Sequence, residues 1–72
     1  MTGINCSGQT ADEYFDRGMG KYKLNDKSGA ILDFSKTIEI NPKDADAYFY
    51  RGLAKGELED YKNAIPDYNN AI

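Results

Sequence analysis

Two stretches of the chain repeat one another and decide its fold: EYFDRGMGKYKL at residues 13–24 and AYFYRGLAKGEL at residues 47–58. They are 34 residues apart, and moving residues 11–38 by this offset onto residues 45–72 gives 13 identical pairs out of 28 without a gap. A fixed period of this length is typical of proteins built from stacked, self-similar units. The sequence therefore predicts two tandem units of one architecture.

Each unit divides into two helical patterns around a short polar turn. Thr10 followed by Glu13 is a capping box, which starts the first helix by satisfying free backbone donors, and Asp44 can cap the third helix. Pro42 ends the second helix because the residue before a proline is pushed out of the helical region. Asn25 can take the left-handed conformation that closes the first helix.

These signals predict an all-α protein of four helices, arranged as tandem antiparallel helix-turn-helix repeats. Residues 1–10 are expected to form a polar N-terminal tail, residues 11–44 the first repeat, and residues 45–72 a second repeat that lacks its end. Seventy-two residues suffice for one small domain, whose single core only just outweighs the conformational entropy of the chain.

Composition and charge exclude several classes of function. Hydrophobic residues make up 40% and charged residues 29% of the chain, as in globular proteins. The net charge of −3 and the scattered lysines and arginines argue against a nucleic-acid partner. No apolar run reaches the roughly 20 residues of a membrane span, and no targeting segment is seen, so no membrane partner is expected. The single cysteine, Cys6, cannot form an internal disulfide, which favours a soluble cytoplasmic protein. Whether Cys6 is reactive stays open.

Two matched glycines require a structural explanation. Gly18 and Gly52 lie inside helices, where glycine costs about 1 kcal/mol relative to alanine. We expect them to permit close approach to Ala30 and Ala64 of the partner helices.

Matched charges suggest an ion pair in each unit. Arg17 and Asp33 are separated by 16 residues, and so are Arg51 and Asp67. Between antiparallel helices in contact, each arginine can reach the aspartate of its own unit, with its aliphatic stem packed against tyrosine. Such structural ion pairs would fix helix register more than they add stability, because desolvation offsets much of the attraction.

A 34-residue helix-turn-helix unit with tyrosine, glycine, alanine and an aromatic residue at these places, and a final proline, resembles the tetratricopeptide repeat. The resemblance covers residues 11–72. The residues that carry it are Tyr14, Gly18, Ala30, Phe34, Thr37 and Pro42 in the first unit, and Tyr48, Gly52, Tyr61, Ala64, Tyr68 and Ala71 in the second.

The resemblance implies a right-handed α-solenoid whose concave face binds a peptide or protein segment and carries out no catalysis. Phe15 and Phe49 are expected either to contact that ligand or to pack against each other. Asp12 and Asp46 suit the positive ends of their helices, and attraction of a basic ligand is their second interpretation. The full set implied for the concave face is Asp12, Phe15, Met19, Tyr22, Lys23, Asp46, Phe49, Leu53, Gly56 and Glu57.

Two functions remain open at this point, neither of them enzymatic. The chain has no histidine, no cluster of metal ligands and no glycine-rich phosphate loop, so we expect no catalytic residue, cofactor or metal. The first function is a protein-interaction module that binds a peptide in its groove. The alternative is a scaffold module that associates with further copies, as in a homo-oligomer, or with further repeats. Stacked repeats need a polar cap, and the last helix leaves the apolar residues Ile65, Tyr68 and Ile72 uncovered.

Overall fold

The computed structural model describes residues 10–72 and confirms the predicted all-α architecture. The predicted tail other than Thr10, including Cys6, lies outside the described residues. Within the described range there is no strand, and each helix packs against the next one along the chain. The helices are α1 (Ala11–Lys23), α2 (Lys27–Ile40), α3 (Ala45–Glu57) and α4 (Tyr61–Ala71).

Side-chain caps fix where the helices begin. Thr10 and Glu13 form both bonds of the predicted capping box, so α1 begins where the sequence predicts. Asp44 accepts a hydrogen bond from the backbone N–H of Ala47 at 3.2 Å, as expected for the cap of α3. Asp26 caps α2 in the same way through the N–H of Gly29, at 3.0 Å. These bonds satisfy donors that the first turn of a helix otherwise leaves unpaired.

The turn inside each repeat contains a residue in the left-handed conformation. Asn25 has φ of 69°, as predicted, and Glu59, which occupies the matching place in the second repeat, has φ of 66°. Asparagine tolerates this region, whereas glutamate pays a steric cost because of its Cβ. Asp26 and Asp60 then donate their backbone N–H groups to carbonyls of the last turn, at 2.8 Å each. The two turns are therefore built alike from different residues.

The core between α1 and α2 is small and centred on Phe34, which is fully buried together with Ala30. A Cβ added to Gly18 would lie 2.7 Å from the Phe34 ring, so the nearest group that this glycine makes room for is Phe34, whereas the sequence had suggested Ala30. At Gly52 the expectation holds in part, because an added Cβ would lie 3.2 Å from the carbonyl oxygen of Ala64.

Thr37 shows that the paired helices run antiparallel. Its side chain is fully buried, and its hydroxyl donates to the carbonyl of Asp33 at 3.0 Å, one turn earlier in α2. The same hydroxyl lies 3.5 Å from the carbonyl oxygen of Ala11, at the start of α1. The end of α2 therefore meets the beginning of α1, and a buried hydroxyl finds acceptors on both helices.

Candidate functional site

An aromatic cluster joins the two repeats. The Tyr50 ring of α3 lies 6.0 Å from Phe15 of α1 and 6.2 Å from Phe34 of α2, measured between ring centroids. Phe49 contacts Tyr50 at 5.2 Å and Tyr68 of α4 at 6.0 Å. Phe15 and Phe49 therefore do not pack directly against each other, and Tyr50 connects them. Tilted and edge-on rings at these distances stabilise the contact beyond the area that they bury.

A groove lies beside this cluster, at the N-terminal ends of α1 and α3, and we call it the acidic groove. Its volume is about 450 Å³, and it is open to solvent. Phe15 supplies its aromatic wall, and Asp12 and Asp46 approach it from the two first helices. The connection between α2 and α3 completes it. The lining residues are Asp12, Phe15, Asn41, Lys43, Asp44, Ala45 and Asp46.

The acidic groove is negatively charged, because three carboxylates face one ammonium group among its lining residues. Asp44 is already committed, since its carboxylate caps α3. Asp12 and Asp46 are exposed and lie in the first turns of α1 and α3, where the helix dipole favours negative charge. Both have side chains accessible to a ligand.

The remaining residues predicted for the concave face lie outside the lining of the acidic groove. Phe49 is 43% exposed, which is high for a phenylalanine, and Met19 and Leu53 are half-buried. Lys23 is exposed, and Gly56 has the Tyr68 hydroxyl nearby, at 3.7 Å from where a Cβ would be. The structure therefore brings together three predicted residues, Asp12, Phe15 and Asp46, and leaves the others further along α1 and α3.

Two residues predicted as ligand contacts, Tyr22 and Glu57, bind each other across the repeats. The Tyr22 hydroxyl donates to Oε2 of Glu57 at 2.6 Å. Lys27 lies 3.5 Å from Oε1 of the same carboxylate, and its ammonium group sits 5.9 Å from the centroid of the Tyr22 ring. The hydrogen bond to Glu57, with smaller effects of burial and of the Glu57 charge, raises the pKa of Tyr22 to about 12. We call these three residues the inter-repeat clasp.

The predicted ion pair of the second repeat is bidentate. Arg51 donates from Nε to Oδ2 of Asp67 at 2.9 Å and from Nη2 to Oδ1 at 2.7 Å. Its Nη1 donates to Ser35 of α2 at 3.1 Å, and its guanidinium carbon lies 5.7 Å from the Tyr48 ring centroid. Arg51 therefore links three helices, α2, α3 and α4, through one planar group.

Lys55 adds a second cation to Asp67, at 3.0 Å from Oδ2. Asp67 is 2% exposed, and burial is the largest single influence on its carboxyl group, acting to raise the pKa. The hydrogen bonds from Arg51 and Lys55, together with their charges, outweigh burial and hold the pKa of Asp67 below its ordinary value. The carboxylate is therefore ionised and paired at neutral pH.

The first repeat forms the same arrangement more loosely. Arg17 Nε lies 3.8 Å from Oδ2 of Asp33, and Lys21 lies 3.0 Å from the same oxygen. This oxygen is buried and meets the two cations as ion pairs without an aligned hydrogen bond. The Arg17 side chain is 49% exposed, against 19% for Arg51, and it also lies over a tyrosine ring, that of Tyr14, at 5.7 Å.

The residues predicted for self-association are placed differently from one another. Ile65 is 59% exposed and Ile72 is fully exposed. Tyr68 instead packs towards α3, where it contacts the Phe49 ring and limits the space at Gly52. Tyr68 is half-buried, so less of its side chain is open to a second copy than is the case for Ile65 and Ile72, and its part in self-association stays a prediction.

Several residues of these sites were not predicted. Lys21 and Lys55 follow Arg17 and Arg51 by four residues, a spacing that puts both cations of each repeat on one helix face and could have shown that both pair with the same aspartate. Tyr50 stands where the first repeat has Asp16, and this mismatch marks a residue specific to the contact between repeats. Lys43, in the connection between α2 and α3, carries no sequence signal that marks it as part of the groove.

Comparison of the chain with known protein families, curated proteins and solved structures finds no match. Among residues 10–72, no helix is long and apolar enough to cross a membrane. No cluster of three or more side chains that could hold a metal ion occurs in that same part of the chain.

Proposed function

We propose that the chain is a non-enzymatic protein-interaction module that binds a peptide or protein segment along α1 and α3. The single observation that carries this proposal is the acidic groove, to which both first helices and the connection between the repeats contribute. The resemblance to tetratricopeptide repeats supports the same assignment.

The chemistry of the acidic groove favours a segment with both apolar and basic side chains. Phe15 offers an aromatic surface, and Asp12 and Asp46 offer carboxylates that are free of a helix-capping bond. Phe49 extends the apolar surface along α3 as an exposed aromatic residue of the kind that anchors interfaces. A lysine or arginine of the ligand would be attracted to the rim, which fixes its orientation more than its affinity.

Selection from a displayed library of random peptides tests this proposal. We expect enrichment of peptides that combine apolar residues with lysine or arginine. Their affinity should fall at least about tenfold in Phe49→Ala and fall with added salt, the salt dependence being reduced in the double variant Asp12→Asn/Asp46→Asn. Leu32→Asp is the matched control, because Leu32 is 68% exposed on α2 and lies on neither of the two helices, α1 and α3, along which the ligand is proposed to bind.

Two outcomes would reject binding at the groove. One is a library that yields no enriched peptide against protein whose fold is verified by circular dichroism. The other is a set of peptides that bind the wild type, Phe49→Ala and the double aspartate variant with equal affinity, because such peptides recognise another surface.

A second function, a scaffold module that stacks through its last helix, is favoured by a different observation. Ile31 of α2 is half-buried, whereas Ile65, its match on α4, is 59% exposed. An apolar position that is half-buried in one repeat is therefore exposed in the next, and stacked repeats bury such positions against a neighbouring unit. Light scattering during size exclusion tests self-association: a dimer or larger species that is lost in Ile65→Asp supports it, and a monomer at high concentration rejects it.

A further inference from the structure

The face by which the second repeat packs on the first is defined by a few residues of α3. Tyr50 contacts Phe34 of α2, and Arg51 donates to Ser35 of the same helix. Ala47 lies three residues before Tyr50 and Ala54 four residues after it, so both alanines lie on the same side of α3 as Tyr50. Both alanines are completely buried. We call Ala47, Tyr50, Arg51 and Ala54 the docking face of α3.

The corresponding face of α1 has a different chemistry. The 34-residue offset places Glu13, Asp16, Arg17 and Gly20 at the four docking positions. Only the arginine is retained, and two carboxylates replace an alanine and the tyrosine. Glu13, Asp16 and Gly20 are exposed, and Glu13 also completes the cap of α1. Burying these carboxylates against an apolar helix would be unfavourable because they would lose their hydration without gaining cations.

The side of α2 that carries Ser35, the acceptor for Arg51, has in contrast a matching side on α4. Ile31 and Ile38 lie on this side of α2, four residues before and three residues after Ser35, and both are half-buried. The same offset places Ile65, Asn69 and Ile72 on α4, and all three are exposed. We call these residues the open face of α4. By the 34-residue offset, the open face of α4 corresponds to the side of α2 on which α3 packs.

We propose that the open face of α4 binds a partner helix that carries the docking pattern of α3, namely alanine, tyrosine-arginine and alanine at positions i, i+3, i+4 and i+7. This inference uses the same surface of α4 as the scaffold alternative given above, but it replaces a second copy of the chain with a different partner helix. The two alanines allow close approach to Ile65, the tyrosine covers apolar surface, and the arginine donates to the side-chain oxygen of Asn69, as Arg51 donates to Ser35.

The proposal also predicts that the two ends of the protein differ: α4 can accept a partner helix, and α1 cannot act as that helix. A second copy of the chain cannot supply the partner helix through α1, because Glu13 and Asp16 would then face the isoleucines of α4. The charged residues of α1 therefore prevent the first repeat from packing on α4 of another copy, whereas α4 of the second repeat keeps an exposed apolar face. The wild-type chain is expected to be monomeric and still to bind an α3-like helix.

Two synthetic peptides with blocked ends test this selectivity against the full chain. The first has the sequence of residues 45–58, which includes the docking face of α3, and the second has the sequence of residues 11–24, with the charged face of α1. Titration calorimetry should show binding of the first peptide at least about tenfold tighter than that of the second. Ile65→Asp should weaken binding of the first peptide by at least about tenfold, because it removes one buried isoleucine contact. Leu32→Asp should leave it unchanged.

A variant of the whole chain gives a second measurement that does not depend on a peptide folding. Asp16→Tyr together with Gly20→Ala transfers most of the docking face onto α1. This double variant should form concentration-dependent oligomers in light scattering, and adding Ile65→Asp should return it to a monomer. Asp16→Tyr/Gly20→Ala with Leu32→Asp should still associate, since Leu32 is not on the open face.

Three results would overturn the inference. They are equal binding of the two peptides, a folded Asp16→Tyr/Gly20→Ala variant that stays monomeric, and wild-type self-association that depends on Ile65. Phe49→Ala separates this inference from groove binding, because it should weaken library-selected peptides and leave binding of the 45–58 peptide unchanged.

Discussion

Replacing Asp67 with asparagine should destabilise the protein more than the same change at Asp33, although the two residues occupy matching places. Asp67 accepts two hydrogen bonds from Arg51 and also pairs with Lys55, while being 2% exposed. Removing one member of a buried pair costs about 3–5 kcal/mol. Arg51 keeps some access to water and asparagine still offers an acceptor, so we expect Asp67→Asn to lower the free energy of unfolding by about 2 kcal/mol.

Asp33→Asn is the matched control within the same chain. Its arginine partner, Arg17, is 49% exposed and lies 3.8 Å away, so more of the interaction is screened by solvent. Exposed pairs are worth about 0–1 kcal/mol; because Asp33 is itself buried and also pairs with Lys21, we expect a loss at the upper end of that range, about 1 kcal/mol. Urea unfolding followed by far-UV circular dichroism at neutral pH measures both variants on the same scale.

The pH dependence provides a second criterion. The pKa of Asp67 is lower in the folded protein than in the unfolded chain, so its contribution is complete above the unfolded pKa and is lost as the pH falls through the folded value. The stability difference between the wild type and Asp67→Asn should therefore shrink below about pH 4. An equal loss in the two asparagine variants, or a difference that does not change with pH, would refute this account of the Arg51 network.

Further predictions concern the glycines, the inter-repeat clasp and the second turn. Gly18→Ala should destabilise by about 1–2 kcal/mol in urea unfolding, because its Cβ would meet a buried ring, whereas Gly20→Ala, with open space around it, should stabilise by up to about 1 kcal/mol. Equal effects of the two would contradict this packing. In an ultraviolet titration, Tyr22 should ionise near pH 12, and Tyr22→Phe should remove that step. Because the pKa of Tyr22 is higher in the folded than in the unfolded protein, its hydrogen bond to Glu57 should stabilise the fold fully below about pH 10. This stabilisation should disappear as the pH rises through about 12. Glu59→Gly should raise the free energy of unfolding by about 1 kcal/mol, since φ is positive there; a loss of stability would show that the Glu59 side chain matters more than strain.

The sequence predicted the helices well because their signals are local. The capping box at Thr10, the cap at Asp44 and the left-handed Asn25 depend on neighbouring residues, and a period of 34 residues relates the two repeats. The pairing of Arg51 with Asp67 could also be predicted, because it repeats at the same separation in both units.

What could not be predicted depends on where side chains meet between repeats. Tyr22 and Glu57 both looked like ligand contacts, and only the stacking of α1 beside α3 shows that they bind each other. Gly18 gave no indication of which side chain it makes room for, and Phe34 is the one that uses the space. Tyr68 follows the same apolar pattern along α4 as Ile65. In the structure, however, Tyr68 contacts Phe49 of α3, whereas Ile65 is exposed to solvent.

Binding at the acidic groove is tested most directly by nuclear magnetic resonance of the isotope-labelled chain during titration with one library-selected peptide. The proposal predicts that the largest shifts in backbone amide signals occur at Asp12, Phe15, Asp46 and Phe49, and that Leu32 is unaffected. Shifts confined to Ile65 and its surroundings on α4, or no shift in the groove at saturating peptide, would contradict it.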